Sequence, residues 1–158
     1  MPGVWVFPGG AVDAADGDGE AAHKAAAVRE LAEEAGIEVT AEELVAYSRW
    51  ITPRVMPIRF DTRFYLALAP AHTPPQADGS EIVDAGWFQP ARALEMHAAG
   101  ELSLVFPTIK HLESLIEFDS AKDALEAAAR RVVEPYEPDF KPDELPDEVS
   151  KIVPPEKQ

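Results

Sequence analysis

One segment of the chain combines a helical pattern with a dense cluster of charge: Arg29-Glu30-Leu31-Ala32-Glu33-Glu34-Ala35-Gly36-Ile37. At about 100° per residue, Glu30, Glu33 and Glu34 fall within one narrow arc of an α-helix. The apolar residues between them occupy the opposite side of the helix, where they can pack against a core. The pattern therefore predicts an amphipathic helix, and Gly36 is placed to end it in the left-handed conformation.

The three carboxylates of this segment indicate a metal site. Like charges at these spacings repel by roughly 0.2–0.5 kcal/mol per pair in an isolated helix, so the cluster lowers helix stability unless a cation binds to it. Mg²⁺ selects oxygen ligands and completes its coordination with water and substrate phosphate oxygens. The segment therefore indicates a phosphate ester or anhydride as substrate, with a solvated acidic helix face as the alternative.

Together with Gly9-Gly10 upstream, the segment resembles the Nudix box. The family pattern is Gly, five residues, Glu, seven residues, then Arg-Glu-apolar-x-Glu-Glu-x-Gly-apolar, and the second half is matched at every fixed position. The first half departs from the pattern, because the family's first Glu would fall at Ala21 and the gap from the two glycines is several residues too long. We expect Asp16, Asp18 or Glu20 to substitute for that Glu.

Three further phrases narrow the resemblance: Trp50-Ile51-Thr52-Pro53, Arg59-Phe60-Asp61-Thr62-Arg63-Phe64 and Glu81-Ile82-x-x-Ala85-x-Trp87-Phe88. They are similar to the Nudix branch that includes peroxisomal-type coenzyme A diphosphatases and their bacterial relatives. The resemblance implies a diphosphatase that acts on a small-molecule nucleoside diphosphate derivative, with coenzyme A or acyl-coenzyme A as the leading substrate. ADP-ribose or a nucleotide sugar is the alternative substrate. The alternative of another class is a non-catalytic Nudix fold that binds a nucleotide ligand or a protein.

The resemblance also implies which residues do the chemistry. Glu30, Glu33 and Glu34 are expected to hold Mg²⁺ or Mn²⁺, which would neutralise the diphosphate and lower the pKa of a bound water. Glu33, Glu34 and, outside the box, Glu81 all stay open as the base that takes the proton. Arg29 completes the expected catalytic set, and we expect it to pair with a carboxylate or a loop carbonyl rather than to act on substrate.

The implied fold belongs to the α/β (α+β) class: a Nudix-like α/β/α sandwich around a mixed β-sheet that lacks the usual leading strand. The resulting exposed sheet edge predicts a homodimer paired through that edge. Residue patterns predict strands at 4–7, 45–51, 58–68 and 81–88, and helices at 90–99, from Phe106 with Thr108 as its cap, and at 120–133 with Ser120 as its cap. We place the Nudix domain at residues 1–133 and a Pro-rich acidic tail, extended or disordered, at 134–158.

Composition argues against several classes of function. The 158 residues carry a formal net charge of −15, from 14 Lys and Arg against 29 Asp and Glu, whereas nucleic-acid grooves need clustered cations. No apolar run approaches the length of a membrane span, and no secretory signal is visible. The chain has no cysteine, which favours a reducing compartment, and we expect a cytoplasmic protein.

Overall fold

The structure, a computed structural model, describes residues 3–77, 79 and 84–139. Its elements in chain order are α1 (Gly19–Ala35), β1 (Val45–Ile51), β2 (Asp61–Leu66), α2 (Pro90–Ala98), α3 (Phe106–Leu115), α4 (Ala121–Ala129) and β3 (Pro135–Tyr136), with 3₁₀ turns at Ala14–Asp16 and Ala41–Glu43. Within the described residues, no helix is long and apolar enough to cross a membrane.

Helix α1 contains the charged segment and confirms the predicted helix. Asp18, in extended conformation, precedes its first turn, and Gly36 ends it with a φ of 63°, donating its N–H to the Ala32 carbonyl at 3.0 Å. The buried side of α1 is made of alanines, and its C-terminal end packs with Ile37 and Leu44 into one apolar cluster. The acidic side of the helix is thereby turned away from this cluster.

The sheet has three strands in the order β2-β1-β3. β1 pairs antiparallel with β2 and parallel with β3, so the mixed sheet expected from the sequence is present. β1 confirms the predicted strand at 45–51. β2 is shorter than the predicted strand at 58–68, because Thr52 and Phe60 close the preceding loop by donating their N–H groups to each other's oxygens, both at 2.9 Å.

Helices cover both faces of the sheet. Adjacent residues of a strand point to opposite faces. On β2, Phe64 contacts the His111 ring of α3 at 4.2 Å between centroids, while the Tyr65 hydroxyl donates to Glu20 of α1 at 3.0 Å. Helices α1 and α3 therefore lie on opposite sides of the sheet, which is the α/β/α sandwich expected from the sequence.

Two predicted strands are not formed as expected. In place of the strand at 4–7, Trp5 makes a single parallel bridge with Leu104. A longer ladder is prevented because α3 begins two residues beyond Leu104. In the predicted strand at 81–88, residues 81–83 lie outside the described part of the chain, and residues 84–88 form no strand before the chain turns into α2.

Helices α2 and α3 pack into a second apolar cluster that includes Ala93, Leu104 and Leu112. The start of α2 confirms the helix predicted at 90–99. α3 begins at Phe106 as predicted, but its cap is Val105. The predicted Thr108 cap is wrong, because Thr108 is buried within the first turn of the helix.

Helix α4 confirms the predicted Ser120 cap, since the Ser120 hydroxyl accepts the Asp123 N–H at 3.2 Å. The helix ends at Ala129 rather than at residue 133. The last turn tightens instead of continuing, since the N–H groups of Arg130 and Arg131 donate to carbonyls three residues back, those of Ala127 at 3.3 Å and Ala128 at 3.0 Å.

The first residues assigned to the tail add to the sheet. Residues Pro135–Tyr136 form β3, and the neighbouring Glu137 accepts hydrogen bonds from Arg54 at 3.1 Å and Arg59 at 2.6 Å. These cations belong to the loop between β1 and β2, so Glu137 connects the end of β3 to that loop. The rest of the tail, residues 140–158, lies outside the described part of the chain.

Candidate active site

A glycine loop lies directly on the acidic side of α1. The Gly9 N–H donates to Glu34 Oε2 at 2.8 Å. A Cβ added to Gly10 would lie 2.2 Å from Glu30 Oε1, far inside contact distance, so only glycine permits this approach. Loop and helix therefore form one unit in which backbone groups and carboxylates are in direct contact.

Arg29 lies at the centre of the charged network. Its Nη1 donates to Glu30 Oε1 at 2.8 Å and to Glu33 Oε2 at 3.2 Å, and its Nη2 donates to the Ala11 carbonyl at 3.1 Å. Arg29 thus meets both carboxylates and a loop carbonyl, the types of partner expected from the sequence. Its hydrogen bonds to Asp16 and then to Glu30 raise the pKa of Arg29 above its ordinary value.

Asp16 holds the other side of the same guanidinium group. Its Oδ1 accepts from Arg29 Nε at 3.2 Å and its Oδ2 from Nη2 at 3.0 Å, a two-point ion pair. The Asp16 side chain is only 6% exposed. The hydrogen bond from Arg29, and then that from the Asp13 N–H, lower the pKa of Asp16 below its usual 3.8, so this carboxylate is charged at neutral pH.

The other two candidates for the missing box Glu are placed differently. Glu20 accepts from the Tyr65 hydroxyl, and its Oε2 lies 3.1 Å from Arg63 Nε. Burial and then this hydrogen bond raise the pKa of Tyr65 above its ordinary value. Asp18 precedes α1 without a side-chain cap hydrogen bond. Of the three candidates, Asp16 is therefore the one that contacts Arg29.

The donor chemistry on this side of α1 fits a hard divalent cation. Glu30, Glu33 and Glu34 offer carboxylate oxygens, and the missing Cβ of Gly10 lets the Glu30 carboxylate lie directly against the loop backbone. The Glu33 side chain is 60% exposed and that of Glu30 is 14% exposed. Across residues 3–77, 79 and 84–139, no three His, Asp or Glu side chains are already grouped as a metal site. Mg²⁺ commonly uses only one or two carboxylates.

Glu81, the candidate base outside the box, lies outside the described residues. Glu30, Glu33 and Glu34 are brought together around the glycine loop and Arg29, although Glu33 lies at the exposed side of the group. The three α1 carboxylates are thus placed beside the glycine loop and Arg29.

An aromatic cluster around His111 lies behind the glycine loop, and sequence reasoning missed it. The His111 ring lies 6.1 Å from that of Phe7, two residues before Gly9. Its Nδ1 is 2.5 Å from the Pro107 carbonyl, which can only accept, so Nδ1 carries the proton. Nε2 of the neutral ring then accepts from the Ser48 hydroxyl at 2.5 Å. Burial lowers the pKa of His111 below its usual 6.5.

Comparison with known families agrees with this geometry. A family model described as "NUDIX domain" matches residues 1–106, which is more than half of the chain. The match includes the glycine loop, all of α1 and both strands of the β1–β2 pair. The chain belongs to the NUDIX domain family.

Two known proteins are similar to this chain. The Caenorhabditis elegans protein named "Putative nudix hydrolase 7" is 28% identical in an alignment that covers 73% of this chain and 51% of that protein. The chain therefore spans about half the length of this curated relative. A NUDIX hydrolase crystal structure from Alicyclobacillus acidocaldarius matches with a TM-score of 0.71 and 26% identity, covering 79% of this chain and 81% of that one. The fold described above is the Nudix fold.

Proposed function

We propose that this chain is a metal-dependent Nudix hydrolase that cleaves a diphosphate linkage in a small-molecule nucleoside diphosphate derivative. The observation that carries the proposal is the direct contact between the Gly9-Gly10 loop and the α1 carboxylates of Glu30 and Glu34. This contact brings carboxylate oxygens and loop backbone to one place, where a metal and a phosphate group could meet. The names of the two similar proteins also support the proposal.

Glu30, Glu33 and Glu34 are the residues that would hold Mg²⁺ or Mn²⁺. When bound, the cation supplies positive charge against the diphosphate and makes a water molecule easier to deprotonate. The chain's own contribution is positioning: the Gly9 N–H orients Glu34, and Arg29 orients Glu30. Arg29 is in this view a positioning residue, because its donors point to the protein's own carboxylates and loop carbonyl.

A carboxylate accepts the proton of the attacking water. Glu33 is exposed and has room to turn toward a substrate, whereas Glu34 is oriented by the loop. Glu81 stays a candidate from outside the described residues. Separate Gln variants at these three positions distinguish them. Each should lower kcat, but only the variant that lacks the base should lose the fall of kcat at low pH, because that fall reports protonation of the base.

Coenzyme A or an acyl-coenzyme A is the substrate that we propose first. The support is the resemblance of the phrases at 50–53 and 59–64 to the coenzyme A diphosphatase branch, and these phrases flank the loop between β1 and β2. ADP-ribose or a nucleotide sugar is the alternative, since its diphosphate presents the same chemistry to the α1 carboxylates.

A non-catalytic binding module is the second candidate function, and one observation favours it. Arg29 engages both Glu30 and Glu33, and within the described part of the chain no three acidic side chains are already grouped around a metal position. A protein that uses this network only to hold its loop would bind a nucleotide or a protein partner without turnover.

We also propose a cytoplasmic location and self-association. The chain has no cysteine, which suits a reducing compartment. Among the described strands β2 pairs only with β1, and a strand from a second copy would pair with its other edge. Sedimentation at micromolar concentration tests the second point: a dimer supports it, and a monomer at all concentrations contradicts it.

Hydrolysis assays with coenzyme A, ADP-ribose and a nucleotide sugar test the proposed activity. Each substrate is assayed with Mg²⁺, with Mn²⁺ and with chelator, and the products are separated by chromatography. Turnover that chelator abolishes supports the hydrolase and ranks the substrates. Absence of turnover under every condition, together with nucleotide binding detected by calorimetry, contradicts the hydrolase and supports the binding module.

A further inference from the structure

A second concave site lies between β1, α3 and the segment 131–136. Its cavity measures about 480 Å³, within the range of roughly 300–1,000 Å³ that is usual for small-molecule sites. We name it the β1–α3 pocket and define it by Trp50, Phe106, His111, Arg131 and Tyr136, which are among its lining residues. The α1 carboxylates do not line it, so it is separate from the candidate active site.

Cations line this pocket although the chain as a whole is acidic. Arg49 is already paired with Asp61 by two hydrogen bonds, at 2.8 and 2.5 Å, and Lys110 is paired with a carboxylate on its own helix at 2.7 Å. Arg131 is different. Its guanidinium lies 5.9 Å from the ring of Tyr47 and makes no ion pair within residues 3–77, 79 and 84–139. Among the described residues that line the pocket, Arg131 is therefore the cation that no carboxylate already holds and that is available to an anionic ligand.

Aromatic rings form the rest of the wall. The Trp50 ring lies 4.8 Å from that of Tyr136 and 6.0 Å from that of Phe106, with interplanar angles of 73° and 71°. Tyr136 is 51% exposed, so part of its ring surface is available to a ligand. His111 has both ring nitrogens engaged and contributes ring surface without charge.

We propose that the β1–α3 pocket binds an anion that carries a flat aromatic ring, such as a nucleoside monophosphate. The ring of the ligand would lie against the rings of Trp50 and Tyr136, because aromatic side chains can stack on the flat face of any nucleobase. The phosphate would meet Arg131, whose forked donors match phosphate oxygens. This binding requires no metal, since the carboxylates that would hold one do not line the pocket.

An NMR titration of the full-length ¹⁵N-labelled chain with AMP, in the presence of chelator, tests the proposal. The chain has three tryptophans, so three indole N–H signals report on binding. AMP should shift the Trp50 signal in a saturable way and leave that of Trp87 in place. Adenosine, which lacks the charge, and inorganic phosphate, which lacks the ring, should each bind more weakly than AMP.

Matched variants locate the charge contact. Arg131→Gln should weaken AMP binding by about fivefold, the upper size for loss of an exposed ion pair. Arg130→Gln should leave the affinity unchanged, because Arg130 is also exposed but is not among the residues that line the pocket. Glu134→Gln should strengthen binding, because Glu134 is the one acid among the described residues that line the pocket. Tyr136→Leu should weaken binding through loss of the ring.

Three results would overturn the proposal. The first is an unshifted Trp50 signal at saturating AMP. The second is an equal loss of affinity in the Arg131 and Arg130 variants, which would indicate a general charge effect. The third is binding that appears only when Mg²⁺ is added and disappears in Glu34→Gln, which would place AMP at α1. These outcomes are independent of whether the chain hydrolyses a diphosphate.

Discussion

Asp16 binds the Arg29 guanidinium at two points, with Oδ1 at 3.2 Å from Nε and Oδ2 at 3.0 Å from Nη2. The pair joins the 3₁₀ turn at Ala14–Asp16 to the middle of α1. The same Nη2 also reaches the Ala11 carbonyl at 3.1 Å. A loop that is longer than the family pattern therefore still supplies a carboxylate to the arginine, because the turn folds the chain back onto the helix.

Asp16→Asn should lower kcat/KM of the proposed hydrolysis by about 10–100-fold, the usual effect of removing a residue that orients a metal-binding group. The substitution keeps the shape of the side chain but removes the charge that pairs with Arg29. Arg29 would then hold Glu30 less firmly. Steady-state kinetics, with Mn²⁺ affinity measured in parallel, provides the readout.

Asp18→Asn is the matched control for this prediction, because Asp18 lies in the same loop without a side-chain cap hydrogen bond. It should retain wild-type kcat/KM. Asp16→Glu should recover part of the lost activity, since it restores the charge. Wild-type kinetics and Mn²⁺ affinity in Asp16→Asn would show that this ion pair has no part in the site.

Gly10→Ala should reduce activity by about 100-fold, a loss typical of a group displaced by about an ångström. The new Cβ would lie 2.2 Å from Glu30 Oε1, so the Glu30 carboxylate has to move. The fold should survive, because the displaced atom is the end of a flexible side chain. Activity assays and thermal unfolding together measure these two effects.

Gly9→Ala provides the comparison, because a Cβ at Gly9 meets nothing within 4 Å. Its N–H remains available to Glu34, and activity should stay close to wild type. If the two alanine variants lost activity equally, the contact between Gly10 and Glu30 would not explain the effect.

The free energy of unfolding should fall as the pH drops below about 6.5 because of His111. Burial lowers the pKa of His111 in the folded chain below 6.5, whereas in the unfolded chain the ring takes up a proton near 6.5. The stability that the neutral ring provides is therefore complete above pH 6.5. It is lost as the pH falls toward and through the pKa that His111 has in the folded chain. The slope is at most about 1.4 kcal/mol per pH unit.

Urea unfolding between pH 7.5 and 5 measures this slope. His111→Gln should be less stable at pH 7.5 and should show a smaller slope. His72→Asn, at an exposed position with a φ of 62°, should keep the wild-type slope. An unchanged slope in His111→Gln would assign the pH dependence to other groups.

Local patterns were sufficient to predict the core of the fold. Helix α1 and its end at Gly36 follow from helical spacing and from the conformational freedom of glycine, and β1 follows from a run of strand-forming residues. The alternation from residue 58 onward predicted too long a strand, because alternation does not reveal that Thr52 and Phe60 close a loop. The Thr108 cap failed for a similar reason, since local spacing does not reveal that Thr108 is buried inside the first turn of α3.

Features that depend on contacts distant in sequence could not be predicted. The sequence offered Asp16, Asp18 and Glu20 as equal substitutes for the missing Glu, and only the folded turn brings Asp16 to Arg29. No spacing in the sequence connects His111 with Phe7, so the aromatic cluster behind the glycine loop had no local signal. The parallel pairing of β3 with β1 likewise joins residues far apart in the chain.

Hydrolysis by Glu34→Gln tests the central claim most directly, with Glu38→Gln, an exposed position just beyond α1, as the matched control. Glu34 accepts the Gly9 N–H and belongs to the acidic group on α1. The account predicts that Glu34→Gln loses Mg²⁺-dependent turnover by orders of magnitude with an unchanged thermal transition, while Glu38→Gln keeps wild-type turnover. Wild-type turnover in Glu34→Gln would contradict the account and remove this carboxylate from the site.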